Sequence, residues 1–271
     1  MPHELDLIIN ANDITNKESE MPTQGMAILN LLSCLGYDYA NLPAADLLRQ
    51  SAHLDGDWLI LSPVCWQATH NDAMIIAAGK DLELTDTQSR YWFKEYSEYL
   101  AEENIILYYF SPDLWLLRAD HMAPIQAKPV YQLLQKSLMP ELAALDESMR
   151  WQKLITESQM FFASLTPKTD INGIWVWGGA KLGLKKPLNI CASEQFFDAA
   201  SLCAEQVSLY QPEISLTKFQ ILIVESLEIL SLEHQEELKQ LDVQWYWNNT
   251  AYRTYPQHWM IRLWRNLTHA D

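Results

Sequence analysis

Apolar and polar residues follow strand and helix periods in turn along the first part of the chain. Leu5 to Asn10 predicts a short strand, and the apolar positions from Met26 to Leu35 recur at helical spacing before Gly36. Trp58 to Thr69 is rich in strand-forming residues, but it contains Pro63, which predicts an edge strand or two separate strands. A further helix and a further strand are predicted at Ala44–Gln50 and Ala73–Ala78.

A capping-box pattern from Thr85 to Gln88 predicts the start of a long amphipathic helix. Its apolar stripe indicates a face turned to the core rather than a platform for stacking bases, and it consists of Trp92, Phe93, Tyr96, Tyr99 and Leu100. Two apolar runs then flank Ser111 to Asp113. The short polar turn between Ile105–Phe110 and Leu114–Arg118 predicts a hairpin.

The second half of the chain alternates helical and strand patterns. After a proline-bearing stretch with a short helical pattern at Val130–Gln135, a long helix is predicted from Trp151, ending before Pro167. The strand predicted over Asn172 to Gly179 is apolar on both faces, which is typical of a strand in the middle of a covered sheet. The remaining strands are predicted at Phe219–Val224, Val243–Trp247 and Trp259–Trp264, with helices at Gln195–Val207 and Leu232–Leu241.

These patterns predict an α/β or α+β fold with a mixed sheet covered by helices in two lobes. We expect an N-terminal α+β lobe over residues 1–120 and a C-terminal α/β lobe over residues 151–271. Residues 121–150, which include three prolines, are expected to form a helical connector.

The net charge of −16 changes the range of partners that the chain is expected to bind. Nucleic acid and anionic membranes would be repelled, so we expect neither as a partner. The first residues show no basic stretch followed by an apolar run, and we expect a cytoplasmic protein. The cysteines Cys34, Cys65, Cys191 and Cys203 form no close pair, which favours reduced, packed side chains over a redox or zinc site.

Glycines follow the tryptophan-rich strand at Gly178, Gly179 and Gly183. A phosphate-binding P-loop would need a lysine directly after the last glycine, then a hydroxyl residue and a helix, and this segment has none of these. The lysines Lys181, Lys185 and Lys186 still form the densest positive charge in the chain. The loop therefore predicts either an anion site beyond a strand end or an ordinary solvated turn.

Local patterns for other chemistry are missing from the sequence. The seven histidines include no H-x-H or H-x-x-x-H pair, and the acidic pairs Asp55–Asp57 and Asp81–Glu83 do not continue into a calcium-binding loop. No G-x-S-x-G nucleophile motif occurs, although a catalytic triad brought together by folding would leave no such spacing. We expect no cofactor and no metal, and we assign no catalytic residue.

One pair of motifs resembles a known family. Trp151 to Met160 contains Glu157-Ser-Gln159-Met160, and Ile171 to Gly179 contains Asn172-Gly-Ile-Trp175-Val-Trp177-Gly178-Gly179. Together they resemble a proteobacterial family of RpfE-type regulatory proteins, many of which carry the name cofactor-independent phosphoglycerate mutase. Weaker similarity extends over most of the chain, at Leu61–Val64, Asp113–Arg118 and Trp259–Arg265.

Two departures from the family pattern bear on activity. The family carries a longer connection with His and Arg between the motif halves, whereas here Phe161 to Ile171 has neither, and Ala180 replaces the third glycine. The metal and nucleophile motifs that mutase chemistry would need are also missing. The resemblance therefore implies a regulatory or binding protein more than a phosphotransferase.

Helical geometry separates the two polar residues of the first motif. At 100° per residue Glu157 and Gln159 project 200° apart, so they are not expected to act on one atom. Each either ties a neighbouring element to the helix, Glu157 through a buried arginine, or contacts a ligand directly.

Our preferred hypothesis is a non-catalytic binding protein with an anion or partner site at the Trp-x-Trp-Gly-Gly strand end, its exit opening onto a concave surface. The alternatives are a phosphoglycerate mutase-like enzyme and a protein interaction module, the latter including self-association. The ligand-binding candidates are Glu157, Gln159, Asn172, Trp175, Trp177, Gly178, Gly179, Lys181 and Lys185.

Overall fold

The protein has a mixed α/β fold. A computed structural model describes residues 4–15, 17–68, 72–165 and 170–256. The strands are β1 (Glu4–Ile9), β2 (Trp58–Ala68), β3 (Ala73–Ala78), β4 (Leu107–Ser111), β5 (Leu114–Arg118), β6 (Gly173–Trp177), β7 (Lys186–Ala192), β8 (Ala204–Leu209), β9 (Ile221–Val224), β10 (Asp242–Tyr246) and β11 (Ala251–Thr254). The α-helices are α1 (Ala27–Cys34), α2 (Ala44–Ser51), α3 (Asp86–Ala101), α4 (Met139–Ala144), α5 (Arg150–Ser164), α6 (Glu194–Cys203) and α7 (Leu232–Leu238).

Two compact units make up the described chain. The first combines the residues up to 35 with those from 184 onward, and the second is the intervening segment from 36 to 183. Within the described ranges, no helix is both long enough and apolar enough to cross a membrane.

The sheet of the first unit is parallel except at one edge. Its order is β11-β10-β1-β9-β7-β8, and only β11 runs antiparallel to its neighbour. The N-terminal strand β1 pairs in parallel with both β9 and β10. Strand β1 is therefore held by hydrogen bonds to strands that follow the second unit in the chain, which is why the unit boundaries differ from the predicted lobes 1–120 and 151–271 and the connector 121–150.

The two faces of this sheet differ. Leu5, Leu7 and Ile9 of β1 belong to an apolar core that also includes Leu238 of α7. On the opposite face, Asp6 hydrogen bonds with Cys34 at the end of α1. One face of β1 is therefore wholly apolar, while the other carries a carboxyl group in its middle.

The second unit has an antiparallel sheet organised around the long strand β2. This strand pairs with β5 through residues 58–61 and with β3 through residues 64–68 on one side, and with β6 on the other. Pro63 falls between the last β5 partner, Leu61, and the first β3 partner, Val64. The proline therefore removes no ladder hydrogen bond, and the strand runs unbroken where the sequence predicts an edge or a division.

Most predicted elements are present, including the capping box at Thr85 and Gln88 that begins α3 and the β4–β5 hairpin. The sequence prediction missed β7, β8 and β11, and it extended α6 into residues that form β8. The helical pattern at Val130 is a short 3-10 turn. The strand predicted at Trp259–Trp264 and the family-like segment Trp259–Arg265 lie outside the described residues.

Candidate functional site

The two tryptophans of the Trp-x-Trp-Gly-Gly motif are fully buried on β6. The Trp175 indole N–H donates to the backbone oxygen of Lys128 at 2.9 Å, and the Trp177 indole N–H donates to Ser62 Oγ at 3.0 Å. The expected covering of both faces is confirmed. However, β6 pairs only with β2 among the described residues, so the prediction of a mid-sheet position was wrong.

The glycine exit of β6 is closely packed. Gly178 has a φ of +86°, and a Cβ there would lie 3.3 Å from the backbone nitrogen of Ala45. At Gly179, which is exposed, a Cβ would lie 3.2 Å from Leu59 Cδ2 and 3.4 Å from Ile125 Cγ2. Both glycines let the chain turn tightly against its neighbours. Atoms of Ala45, Leu59 and Ile125 lie close to these two glycines, and the concave opening expected at this exit stays a prediction.

Lys181 faces carboxylates. Its ammonium pairs with Asp57 and lies 3.9 Å from Asp46 Oδ1. Asp46 also accepts from Leu182 N at 2.9 Å and from Arg49 Nε at 2.8 Å. Burial raises the pKa of Asp46, but these hydrogen bonds outweigh it and leave the pKa below its ordinary value. An anion at Lys181 would have to compete with both carboxylates. Lys185 is exposed and belongs to the first unit, unlike the other candidates.

The motif helix α5 is tied to β6 by a residue that the sequence analysis did not select. Ser158 is fully buried, and its Oγ donates to Ile155 O at 2.6 Å and accepts from Ile174 N at 3.2 Å. The hydroxyl takes up a backbone N–H on the side of β6 away from β2. A serine between the motif residues Glu157 and Gln159 therefore connects the two halves of the motif.

Glu157 and Gln159 point to different surroundings, as their spacing predicts. Glu157 pairs with Lys153 at 3.4 Å, rather than with a buried arginine, and lines a cleft of about 310 Å³. Gln159 instead lies beside Gly173, where its Cγ would be 3.3 Å from an added Cβ. The cleft also includes Arg150, Trp151 and Glu103, so its charges are mixed.

Asn172 extends the pairing of β6 with β2. Its Nδ2 donates to Trp66 O at 2.8 Å, and its Oδ1 accepts from Trp66 N at 2.5 Å. The side chain thereby replaces a backbone pair next to the irregular register at Cys65 and Trp66. Both polar atoms of Asn172 are occupied within the protein.

A different set of polar side chains lies at the carboxyl ends of the parallel strands in the first unit. Ser193 Oγ, Glu225 Oε2 and Asn248 Oδ1 are buried, and none has a hydrogen-bond partner within the described chain. Ser193 and Asn248 are 5% and 9% exposed. Unpaired buried polar atoms are rare in folded proteins, because desolvation without a partner costs about 1–3 kcal/mol each.

These residues and Asn10 follow four neighbouring strands, β10, β1, β9 and β7, at the same end of the sheet. Asn10 N donates to Val224 O at 3.0 Å, and Ser193 N donates to Ile223 O at 3.0 Å. Asn248 Nδ2 donates to Asn10 Oδ1 at 3.4 Å. We call Asn10, Ser193, Glu225 and Asn248 the carboxyl-edge group.

The direction in which the chain adds successive strands to the sheet reverses between β7 and β9. From β7 it proceeds to β8 at one edge of the sheet, whereas from the adjacent β9 it proceeds to β10 on the other side of β1. Such a reversal opens a crevice outside the carboxyl ends of the two strands, and ligands of open α/β sheets bind there. Ser193 and Glu225 directly follow the two strands that flank the reversal.

Two more buried polar atoms have no partner in the described ranges, and both are in the second unit. Trp66 Nε1 faces Gly173, where an added Cβ would be only 2.8 Å away, and the hydroxyl of Tyr96 belongs to a ring that packs against Phe161 and Phe162. Each is isolated within packed side chains, so neither resembles the row of oxygens at the sheet edge.

Comparisons with known proteins identify no family for this chain and one weak structural similarity. The chain matches no protein-family model and no curated protein sequence. Among solved structures it is similar to a cofactor-independent phosphoglycerate mutase from Thermoplasma acidophilum DSM 1728. The identity is 9%, the match covers 92% of this chain and 88% of that chain, and the TM-score is 0.32. A similarity this weak says nothing about the activity of this chain.

The carboxyl-edge group could have been found in part from the sequence. Asn10 and Asn248 stand at or just after predicted strands, and Glu225 directly follows Val224. A polar residue after a buried strand is a weak but usable signal for a site in an α/β sheet. Ser193 gave no such signal, because β7 itself was not predicted.

In the described ranges, no group of three or more His, Cys, Asp and Glu side chains is positioned to hold a metal ion.

Proposed function

We propose that the protein is a non-catalytic binding protein of the RpfE type, which takes a small polar ligand at the carboxyl-edge group of the first unit. The observation that carries the proposal is the row of buried, unpartnered oxygens on Ser193, Glu225 and Asn248. Three such atoms at one edge of one sheet cost stability together. A ligand that supplies hydrogen bonds to them would recover that cost on binding.

The position of the group supports the same proposal. Parallel sheets bind ligands at a reversal of strand order, and Ser193 and Glu225 flank one. Ser193 is also the residue before the ten-residue helix α6, yet its hydroxyl does not cap that helix. An N-terminal serine that leaves its oxygen free forgoes about 1 kcal/mol of helix stabilisation.

The family assignment rests on the sequence motifs, and the adjoining positions of α5 and β6 support it. In this proposal Asn172, Trp175, Trp177, Gly178 and Gly179 maintain the second unit. The anion-binding role of Lys181 and Lys185 stays a prediction. A phosphate titration of Lys181→Ala and Lys185→Ala tests this role. Loss of phosphate binding in either variant would support an anion site at these lysines.

Thermal unfolding of the full chain with chemically distinct probes tests the proposal. The probes are inorganic phosphate, 3-phosphoglycerate, glucose and spermidine, at constant ionic strength. We expect at least one of them to raise the Tm of the wild type but not of Ser193→Ala or Asn248→Ala. Ser208→Ala, at an exposed serine on β8, is the matched control and should respond like the wild type.

Two outcomes would contradict the proposal. If no probe raises the Tm in a way that depends on Ser193 or Asn248, the carboxyl-edge group is not a binding site for any of these chemical classes. If the purified chain converts 3-phosphoglycerate to 2-phosphoglycerate in the presence of Mn²⁺, the protein is an enzyme, as the mutase alternative states.

A further inference from the structure

The segments directly after the parallel strands of the first sheet carry charge of one sign, and the nearby cation Lys17 lies over the Tyr252 ring. These segments are 10–13, 193–195, 210–213, 225–228 and 247–250, and they contain no lysine or arginine. Their charged residues are Asp13, Glu194, Glu213, Glu225 and Glu228. Five acidic residues against Lys17, together with the net charge of −16, favour cations over anions at this edge.

The unpartnered atoms determine which hydrogen-bonding groups a ligand of this site must present. A carboxylate oxygen and an amide oxygen accept hydrogen bonds only, and the serine hydroxyl both accepts and donates. Glu225 Oε2, Asn248 Oδ1 and Ser193 Oγ therefore all match a ligand that presents N–H or O–H donors. A phosphate or carboxylate ligand would satisfy only the serine.

The spread of these atoms sets the shape of the ligand. Ser193, Glu225 and Asn248 follow β7, β9 and β10, and β1 lies between the last two. Strands in a sheet are about 4.8 Å apart, so the row extends over roughly 14 Å. A metal ion needs its ligands at about 2.0–2.6 Å and would reach only part of the row. An elongated molecule with several donors reaches all of it.

We infer that the ligand is a linear aliphatic amine with two or more ammonium groups. One ammonium binds Glu225, and the others donate to Ser193 Oγ and to Asn248 Oδ1. Each ammonium carries up to three N–H donors, enough to satisfy an unpaired oxygen and still contact water. This inference rests on the proposed function, since it names the ligand of the same site.

Isothermal titration calorimetry of the full chain with spermidine tests this inference. Ionic strength is held constant, because exposed acidic residues attract any polycation at low salt. We expect saturable binding to the wild type, weakened at least tenfold in Glu225→Gln. Glu228→Gln is the matched control, since it removes the same charge from an exposed residue at the same edge. Its affinity should stay within twofold of the wild type.

Several results would overturn the inference. Equal weakening in Glu225→Gln and Glu228→Gln would mean diffuse attraction by the acidic surface. Displacement of spermidine by MgCl₂ at equal ionic strength would indicate an inorganic cation site. If Glu225→Gln fails to fold by circular dichroism, Ser193→Ala takes its place, and unchanged spermidine affinity in that variant would equally contradict the inference.

The test also separates this inference from the proposed function. If spermidine does not bind but phosphate or glucose raises the Tm in a Ser193-dependent way, the site stands and only the ligand class is wrong. If no probe binds at all, both the site and its ligand class are wrong.

Discussion

Strand β6 in the second unit and the carboxyl edge of the sheet in the first unit both carry polar side-chain groups, but they differ in whether those groups are paired. Trp175 and Trp177 of β6, and Asn172 just before it, all have hydrogen-bond partners within the protein. At the carboxyl edge, Ser193, Glu225 and Asn248 each keep a buried oxygen without one among the described residues. Satisfied groups stabilise a fold, whereas unsatisfied ones are retained at a cost that binding can recover.

The largest expected effect tests whether the β6 exit is a packing site. Gly178→Val should lower the free energy of unfolding by about 4 kcal/mol, because a β-branched residue is strained at positive φ and its side chain meets Ala45. Gly183 also has positive φ but no atom within 4 Å of an added Cβ. Gly183→Val should therefore cost only about 2 kcal/mol. Equal losses in urea unfolding would mean that the exit is open.

Asn172→Ala tests the satisfied group at the opposite end of β6, directly before its first residue. The variant loses both hydrogen bonds to the Trp66 backbone and leaves the two Trp66 groups without them, so we expect about 2 kcal/mol lower stability by urea unfolding. Ligand affinity at the carboxyl edge should be unchanged once the variant is folded. A loss of binding without a loss of stability would show that Asn172 contacts the ligand instead.

Asp6→Asn tests whether the ionisation of a carboxyl group buried in the middle of β1 lowers the stability of the first unit. Burial raises the pKa of the Asp6 carboxyl to about 6, a hydrogen bond from Cys34 and the charge of Arg253 oppose the rise, and Glu4 adds to it. Burial also raises the pKa of the neighbouring Cys34 thiol, and burial with the nearby Cys34 and Asp6 raises that of Tyr246. A raised acid pKa means that the folded protein holds its proton more tightly than the unfolded chain.

The stabilisation from that proton is complete below pH 4 and is lost as the pH rises through about 6. We therefore expect Asp6→Asn to stabilise the protein by about 1.5 kcal/mol at pH 8, after allowing for partial exposure, and to change little at pH 4. Urea unfolding at the two pH values measures this. A gain that is equal at both would mean that ionisation of Asp6 is not the cause.

The smallest effect concerns the carboxyl-edge group itself. Glu225→Gln replaces a buried, unpaired carboxylate oxygen by a neutral amide of the same shape, so the free protein should gain about 1 kcal/mol. The gain should accompany the loss of ligand binding, which is the usual relation between stability and function. If thermal and urea unfolding show destabilisation by 1 kcal/mol or more, Glu225 has a structural partner and the contrast with β6 disappears.

The sequence predicted local structure well where one period dominated. The capping box at Thr85, the helix pattern from Trp151 and the apolar strand at Trp175 each needed only neighbouring residues to be recognised. It failed where long-range pairing decided the outcome. β7 and β8 have mixed or polar patterns, and they form strands because they pair with β9 and with each other.

The candidate site shows the same limit. Lys181 was selected for its charge, but its carboxylate partners Asp46 and Asp57 are more than 120 residues away along the chain. The sequence does not predict a role for Ser158, because no local pattern indicates that a mid-helix hydroxyl will accept a hydrogen bond from Ile174. Whether a polar group is satisfied depends on partners that the fold brings from elsewhere in the sequence.

The central position of β1 means that this strand is synthesised long before the strands that pair with it. Both strands that flank it, β9 and β10, lie more than 200 residues further along the chain. At typical elongation rates the nascent strand waits roughly 10 to 40 s before its neighbours are made. Throughout that interval an apolar segment with two open edges must avoid pairing with other chains, so the first unit should depend more on chaperones in the cell than the continuous second unit does.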